Sequence, residues 1–232
     1  MGTRVLTAVC ETKFQNARRV NRSLTAGIEK RALVWMAERA PQWIGSDGLT
    51  VLGLTAQIGA GICYALVRWN RWMLLATCAC LALNWLGDSL DGTLARVRHQ
   101  ERPRYGFYVD HIVDIVGAVA LMSGLAVSGL LHGPTAIALL IAFLVLSAES
   151  YLATYTLGCF QLSQGIFGPT EIRILLVAGN LAALRSPYST VFGHHMLLFD
   201  LGGAIATAGM AAIAIGVIAR HIVELYWQEP LR

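Results

Sequence analysis

Charge is what this 232-residue chain has least of: Asp, Glu, Lys and Arg make up 14% of it against 56% apolar residues, and its mean hydropathy is +0.56. A soluble domain carries about a quarter charged residues, so this chain lacks the polar surface that water requires. The same scarcity excludes a disordered chain and argues against a nucleic-acid partner, since 18 Lys+Arg over 14 Asp+Glu leave a net charge of only +4. Cysteine is also scarce, with five residues and no C-x-x-C. Cys63, Cys78 and Cys80 lie inside apolar runs and Cys10 and Cys159 outside them. That pattern offers neither a zinc site nor a disulfide framework, and the thiols read as small buried apolar residues. Residues 1–10 hold too short an apolar stretch for a signal peptide, and Leu6 stands where myristoylation would want Ser or Thr. The first membrane helix is therefore expected to insert uncleaved.

What the chain does have is long apolar segments. Six of them, at roughly 49–67, 72–95, 106–131, 134–157, 171–185 and 197–222, approach the roughly 20 residues that cross a hydrocarbon core. The fifth is the shortest. Pro134, Gly168-Pro169 and Pro187 punctuate the connections. Ahead of them, Ala26 to Ala40 reads as an amphipathic helix with Ile28, Ala32, Trp35 and Met36 on one side and Glu29, Lys30, Glu38 and Arg39 largely on the other, stopped by Pro41. Such a helix suits the membrane interface, or else packs as an ordinary amphipathic helix. The expected fold is an all-α integral membrane protein, with a cytoplasmic segment 1–45, a six-helix domain 46–226 and a short tail 227–232. Six crossings place both termini on one side. Fifteen of the 18 Lys+Arg then fall with the termini, the second–third loop and Arg173, and only Arg68, Arg71 and Arg185 fall opposite. The richer side is expected to be cytoplasmic.

The chemistry concentrates in Asn84-Trp-Leu-Gly-Asp88-Ser-Leu-Asp91-Gly92-Thr-Leu-Ala95-Arg96 and, after the loop, Gly106-Phe-Tyr-Val-Asp110-His111-Ile-Val-Asp114. Asp88 and Asp91 are three apart and Asp110 and Asp114 four apart, so each pair shares a helix face. A short loop makes the two helices antiparallel neighbours, which lets four acids converge at the cytoplasmic end. Unneutralised, they would repel strongly. Oxygen-only ligands favour Mg²⁺ or Mn²⁺ over zinc, and Mg²⁺ commonly shares its site with substrate phosphates. Two ions about 4 Å apart could clamp a phosphoryl substitution. Gly92, Ala95 and Gly106 remove bulk beside the acids, either for a nucleotide or for helix packing, and Arg96 offers a planar fork for phosphate or carboxylate.

Asp88-x2-Asp91-Gly92-x2-Ala95-Arg96 followed by Gly106-x3-Asp110-x3-Asp114 resembles the signature of the CDP-alcohol phosphotransferase family. Nine residues separate Arg96 from Gly106, one more than the commonest form of that signature. The stretch Asp47-Gly48-Leu49-Thr50-x-Leu52-Gly53 entering the first membrane helix also agrees, so the resemblance spans nearly all of residues 20–225. It implies a phospholipid-synthesising enzyme in which an alcohol attacks the β-phosphorus of a CDP-alcohol and CMP leaves. It further implies Asp88, Asp91, Asp110 and Asp114 as metal ligands, with Asp114 as metal ligand or general base. Gly92, Ala95, Arg96 and Gly106 would line the CDP pocket. The partners would be a CDP-linked alcohol and an acceptor alcohol, one of them a lipid, and family members often form homodimers.

Asp110-His111-x2-Asp114 and Gly168-Pro169-Thr170-Glu171 are similar to the choline/ethanolamine branch. His111 would then be a second candidate base, unless it only lines a helix contact. Glu171 would meet a cationic headgroup and Arg173 a phosphate, unless they are a first-turn acid and a loop cation. CDP-aminoalcohol and CDP-diacylglycerol both remain open as donors. Glu149, deep in the fourth segment, is a functional candidate unless Tyr151, Tyr155 or Asn84 satisfies it. His194, His195 and Asp200 are expected near the opposite surface, and Trp43, Trp69, Trp72 and Trp227 at helix ends as an aromatic belt. The alternative to an enzyme is a divalent-cation or proton-coupled transporter, whose site would lie near the bilayer midplane with repeats and broken helices. The acids here cluster at one end and no repeat is visible.

Overall fold

A computed structural model describes residues 18–20, 26–157, 159–161, 168–191 and 193–229. Arg4, Cys10, Lys13, Arg22 and Arg232, and the side chains of Arg18, Arg19, Ile28, Cys159 and His194, lie outside what is described. The elements run β1 (Arg18–Val20), α1 (Ala26–Arg39), α2 (Ser46–Leu66), α3 (Met73–Val97), α4 (Pro103–Val127), α5 (Gly133–Leu157), β2 (Cys159–Gln161), α6 (Pro169–Arg185), β3 (Tyr188–Val191), β4 (His194–Leu197) and α7 (Leu198–Gln228).

Helices α2, α3, α4, α5 and α7 are each long and apolar enough to cross a bilayer. Large apolar side chains such as Ile62, Ile137, Ile205 and Ile215 point outward along them, the reverse of a soluble protein and the arrangement a lipid solvent selects. The chain is thus an all-α integral membrane protein. The expected fifth crossing corresponds to α6. Its 17 residues rise about 25 Å, short of the roughly 30 Å hydrocarbon core. Trp43, Trp69, Trp72 and Trp227 are all exposed, as a belt of interfacial aromatics requires.

Helix α2 is the hub, packed along both α3 and α4. The approach is close enough to need glycine. A Cβ on Gly87 would stand 2.6 Å from both Leu49 O and Gly53 N, and one on Gly124 would collide with the Gly61 backbone. Small residues that let backbones meet are the usual device of membrane helix packing. Deeper in the bundle, Tyr64 is wholly buried and donates its hydroxyl to Asn180 Oδ1 at 2.8 Å, tying α2 to α6. Helix α6 lies against α3, and α5 packs on α4 and α7.

Helix α1 lies across α3 through Leu33 and Ala37, with Met36 and Ala40 beside them. The face turned to α3 is thus Leu33 and Ala37, while Ala32 and Trp35 on the expected apolar side are exposed, as a side facing the membrane interface would be. Arg98 fixes the end of α1 by donating to Ile44 O at 2.6 Å and Ala40 O at 2.9 Å. The extra residue of the α3–α4 loop falls in a compact helix stop. Gln100 N bonds Ala95 O and His99 N bonds Arg96 O, with His99 at φ 55° in the left-handed region, a Schellman arrangement that usually employs Gly. Sequence periodicity did not foresee the antiparallel β3–β4 hairpin between α6 and α7, which turns at Gly193 with φ 81°. Near it, Asp200 accepts from the His132 backbone N–H at 2.8 Å and also meets the His132 ring.

Candidate active site

Helix α2, packed against both α3 and α4, brings Asp88, Asp91, Asp110 and Asp114 to a single cavity of about 10 Å³, lined also by Thr50, Gly53, Gln57, Asn84 and Val113. That is space for one water-sized body. The i, i+3 spacing on α3 and the i, i+4 spacing on α4 are what aim both pairs at the same point. Helix α2 closes the third side: Thr50, Gly53 and Gln57 recur at i, i+3 and i+7 on its inner face.

The two acids of α3 are held differently. Thr50 Oγ1 donates to Asp91 Oδ2 at 2.6 Å, and the Gly92 amide donates to Asp91 Oδ1 at 2.5 Å. Asp88 receives Arg173 of α6 at 2.5 Å. Arg173 is itself oriented, because its Nε donates to Asn84 Oδ1 at 2.8 Å. The Asn84 amide is fixed in turn by donating to Gly53 O at 2.9 Å and Gln57 Oε1 at 3.2 Å. Arg173 therefore belongs to the acid cluster rather than to a free loop, and it offsets part of a charge that four carboxylates would otherwise leave uncompensated.

Among the described residues, no three His, Cys, Asp or Glu side chains stand close enough, as placed, to hold a metal ion. The donor chemistry does suit one. Four carboxylates and a hydroxyl line one cavity beside the Asn84 and Gln57 amides, and the oxygens among them form a donor set that fits Mg²⁺ or Mn²⁺.

The other expected residues separate clearly. Gly92, Ala95, Arg96 and Gly106 are not among the residues that line the cavity. A Cβ on Gly106 would meet nothing within 4 Å and one on Gly92 only the Arg96 guanidinium at 3.4 Å. Neither is a helix-packing glycine. Arg96 is exposed and donates to Thr93 Oγ1 at 3.0 Å. His111 is buried outside the cavity lining, its ring 4.1 Å from that of Phe107 and 4.5 Å from that of Tyr151. Glu171 accepts the Gly168 amide at 2.9 Å, so its carboxylate caps the start of its own helix in the manner of a capping box. Glu149 pairs with none of the partners expected for it. Its Oε1 lies 2.6 Å from His221 Nδ1, joining α5 to α7.

Thr50, Gln57 and Asn84 escaped the sequence reading as site residues. Their signal was polarity at helical spacing inside otherwise apolar spans. A comparison with curated proteins finds no match. A family model, CDP-alcohol phosphatidyltransferase, matches residues 43–221, a span that contains the whole cavity. With most of its length and all four converging acids inside that match, the chain belongs to the CDP-alcohol phosphatidyltransferase family, transferases of a substituted phosphate group from a CDP-alcohol.

Proposed function

We propose that this chain is a divalent-metal-dependent enzyme of phospholipid synthesis, in which one of the two alcohols is a lipid and CMP is released. The observation that carries the reading is the single cavity shared by Asp88, Asp91, Asp110 and Asp114. These four would hold Mg²⁺ or Mn²⁺, as two ions. When bound, the metal supplies compensation for the charge of the diphosphate and of the departing CMP.

The chain's own residues divide the remaining work. Gly92 and Gly106, with free space beside them, admit the nucleotide close to the backbone, and Ala95 and Arg96 flank it. Arg173, standing between Asn84 and Asp88, presents a guanidinium to a phosphate oxygen. Asp114 takes the proton of the acceptor hydroxyl as that oxygen attacks the β-phosphorus and the bond to CMP breaks. Asp114 is preferred to His111 as base because it lines the cavity and His111 does not. Glu171 holds the first turn of α6 through its cap, and its headgroup role rests on the resemblance alone. With α6 counted as a crossing, cation counting favours the cytoplasmic side for the site and both termini, where a lipid tail and a water-soluble group can meet.

The transporter alternative has lost its footing, since the family's activity is transfer. The test is CMP release by purified protein with Mg²⁺ or Mn²⁺ from CDP-choline, CDP-ethanolamine and CDP-diacylglycerol, each with a panel of acceptor alcohols. One donor should support turnover that EDTA abolishes. No release from any donor, with cation flux in liposomes that Asp91→Asn removes, would reverse the assignment.

A further inference from the structure

A carboxylate on α1 reaches three donors at once. Glu29 Oε1 accepts from Trp85 Nε1 at 2.8 Å, from Ser89 Oγ at 3.2 Å and from Thr170 Oγ1 at 2.9 Å. Two of the donors sit on α3 and the third in the first turn of α6. Their places in the chain matter. Trp85 and Ser89 bracket Asp88, and Thr170 comes three residues, about one turn, before Arg173. Asp88 and Arg173 form the ion pair of the candidate site. Glu29 therefore bridges α3 and α6 at the level where those two side chains meet, from a helix that contributes nothing to the cavity lining.

The bridge is unusual in its chemistry. An exposed Glu on an interfacial helix would be hydrated, whereas this one is half-buried and exchanges water for an indole N–H and two hydroxyls. Hydrogen bonds to an ionised acceptor are stronger than neutral ones. Three on one oxygen hold the start of α6 at a set distance from the acid-bearing end of α3. The Glu171 cap and the Thr170 contact act on the same first turn, one fixing its backbone and the other its position.

We infer that Glu29 is a positioning residue for the reaction, acting through Thr170 and Ser89 to set Arg173 against Asp88, and that α1 is thereby a working part of the site. The inference rests on the function proposed above. Three variants are measured for CMP release: Glu29→Ala, Glu29→Gln and Arg173→Gln, with the double variant Glu29→Ala/Arg173→Gln. Small displacements remote from the chemistry can cost large factors in rate, so Glu29→Ala should lower kcat about 10- to 100-fold with KM nearly unchanged. Glu29→Gln keeps an acceptor oxygen and should recover most of that loss. In the Arg173→Gln background Glu29→Ala should cost less than about twofold, because coupled positions are not additive. Unchanged kcat in Glu29→Ala, or fully additive losses, would overturn the inference.

A second readout needs no activity. Hydrogen exchange at the Ile172 and Arg173 amides should quicken in Glu29→Ala while the α2–α4 contact stays protected, and unaltered exchange there would also overturn it. If the wild-type protein releases no CMP, the proposed function falls, and the exchange result still decides whether Glu29 sets the start of α6.

Discussion

Two sets of glycines on the same helices do opposite things. At Gly61, Gly87 and Gly124 there is no room for a side chain, and at Gly53 little, because backbone faces backbone. At Gly106, one helix end away, there is nothing for a side chain to touch, and at Gly92 only the tip of Arg96. The first set locks α2 to α3 and α4, and the second stands clear of any helix contact. The lesson is that a glycine in a membrane helix has no single meaning. The packed set holds the three helices together, and the open set takes no part in that contact.

The largest expected effect falls at the open end. Asp91→Asn or Asp110→Asn should reduce CMP release by at least about 10²-fold, the scale of losing one preorganised electrostatic contact, with an unchanged melting profile in detergent. A parallel fall in melting temperature would make the acids structural and erase the contrast. At the packed end, Gly124→Ala should destabilise by about 1–3 kcal/mol, the usual range for overpacking. It should be seen as a lower melting temperature while the surviving folded protein turns over at nearly the normal rate.

Tyr64→Phe should cost about 1–2 kcal/mol by stranding a buried acceptor, since the hydroxyl bonded to Asn180 lies in the interior. It too should spare turnover. The smallest effect is Gly106→Ala, which should change stability by less than about 0.5 kcal/mol, as surface substitutions do, yet raise KM for the CDP-alcohol. If Gly106→Ala unfolded the protein instead, the division between the two sets of glycines would be wrong.

The four aspartates were legible in the sequence because a helix converts local spacing into a shared face. The short loop suggested that α3 and α4 pack on each other, but α2 is the helix packed against both. What the sequence left open were partners chosen across long separations. Glu29 meets Thr170 141 positions away, Arg173 meets Asp88 85 positions away, and His221 meets Glu149 72 positions away. Periodicity places each of these on a face but says nothing of which face it will meet. Helix α1 shows the same limit: its apolar side at Ala32 and Trp35 was legible, but the contact of Leu33 and Ala37 with Leu90 and Leu94 was not. The β3–β4 hairpin was missed because four-residue strands carry too few positions to show a period of two.

Binding of Mn²⁺ to the purified protein without nucleotide, followed by electron paramagnetic resonance, tests the centre of the account most directly. The wild-type chain should take up two ions, and each Asp→Asn change at 88, 91, 110 or 114 should weaken that uptake or halve it. Equal Mn²⁺ uptake by the wild type and all four variants would contradict it.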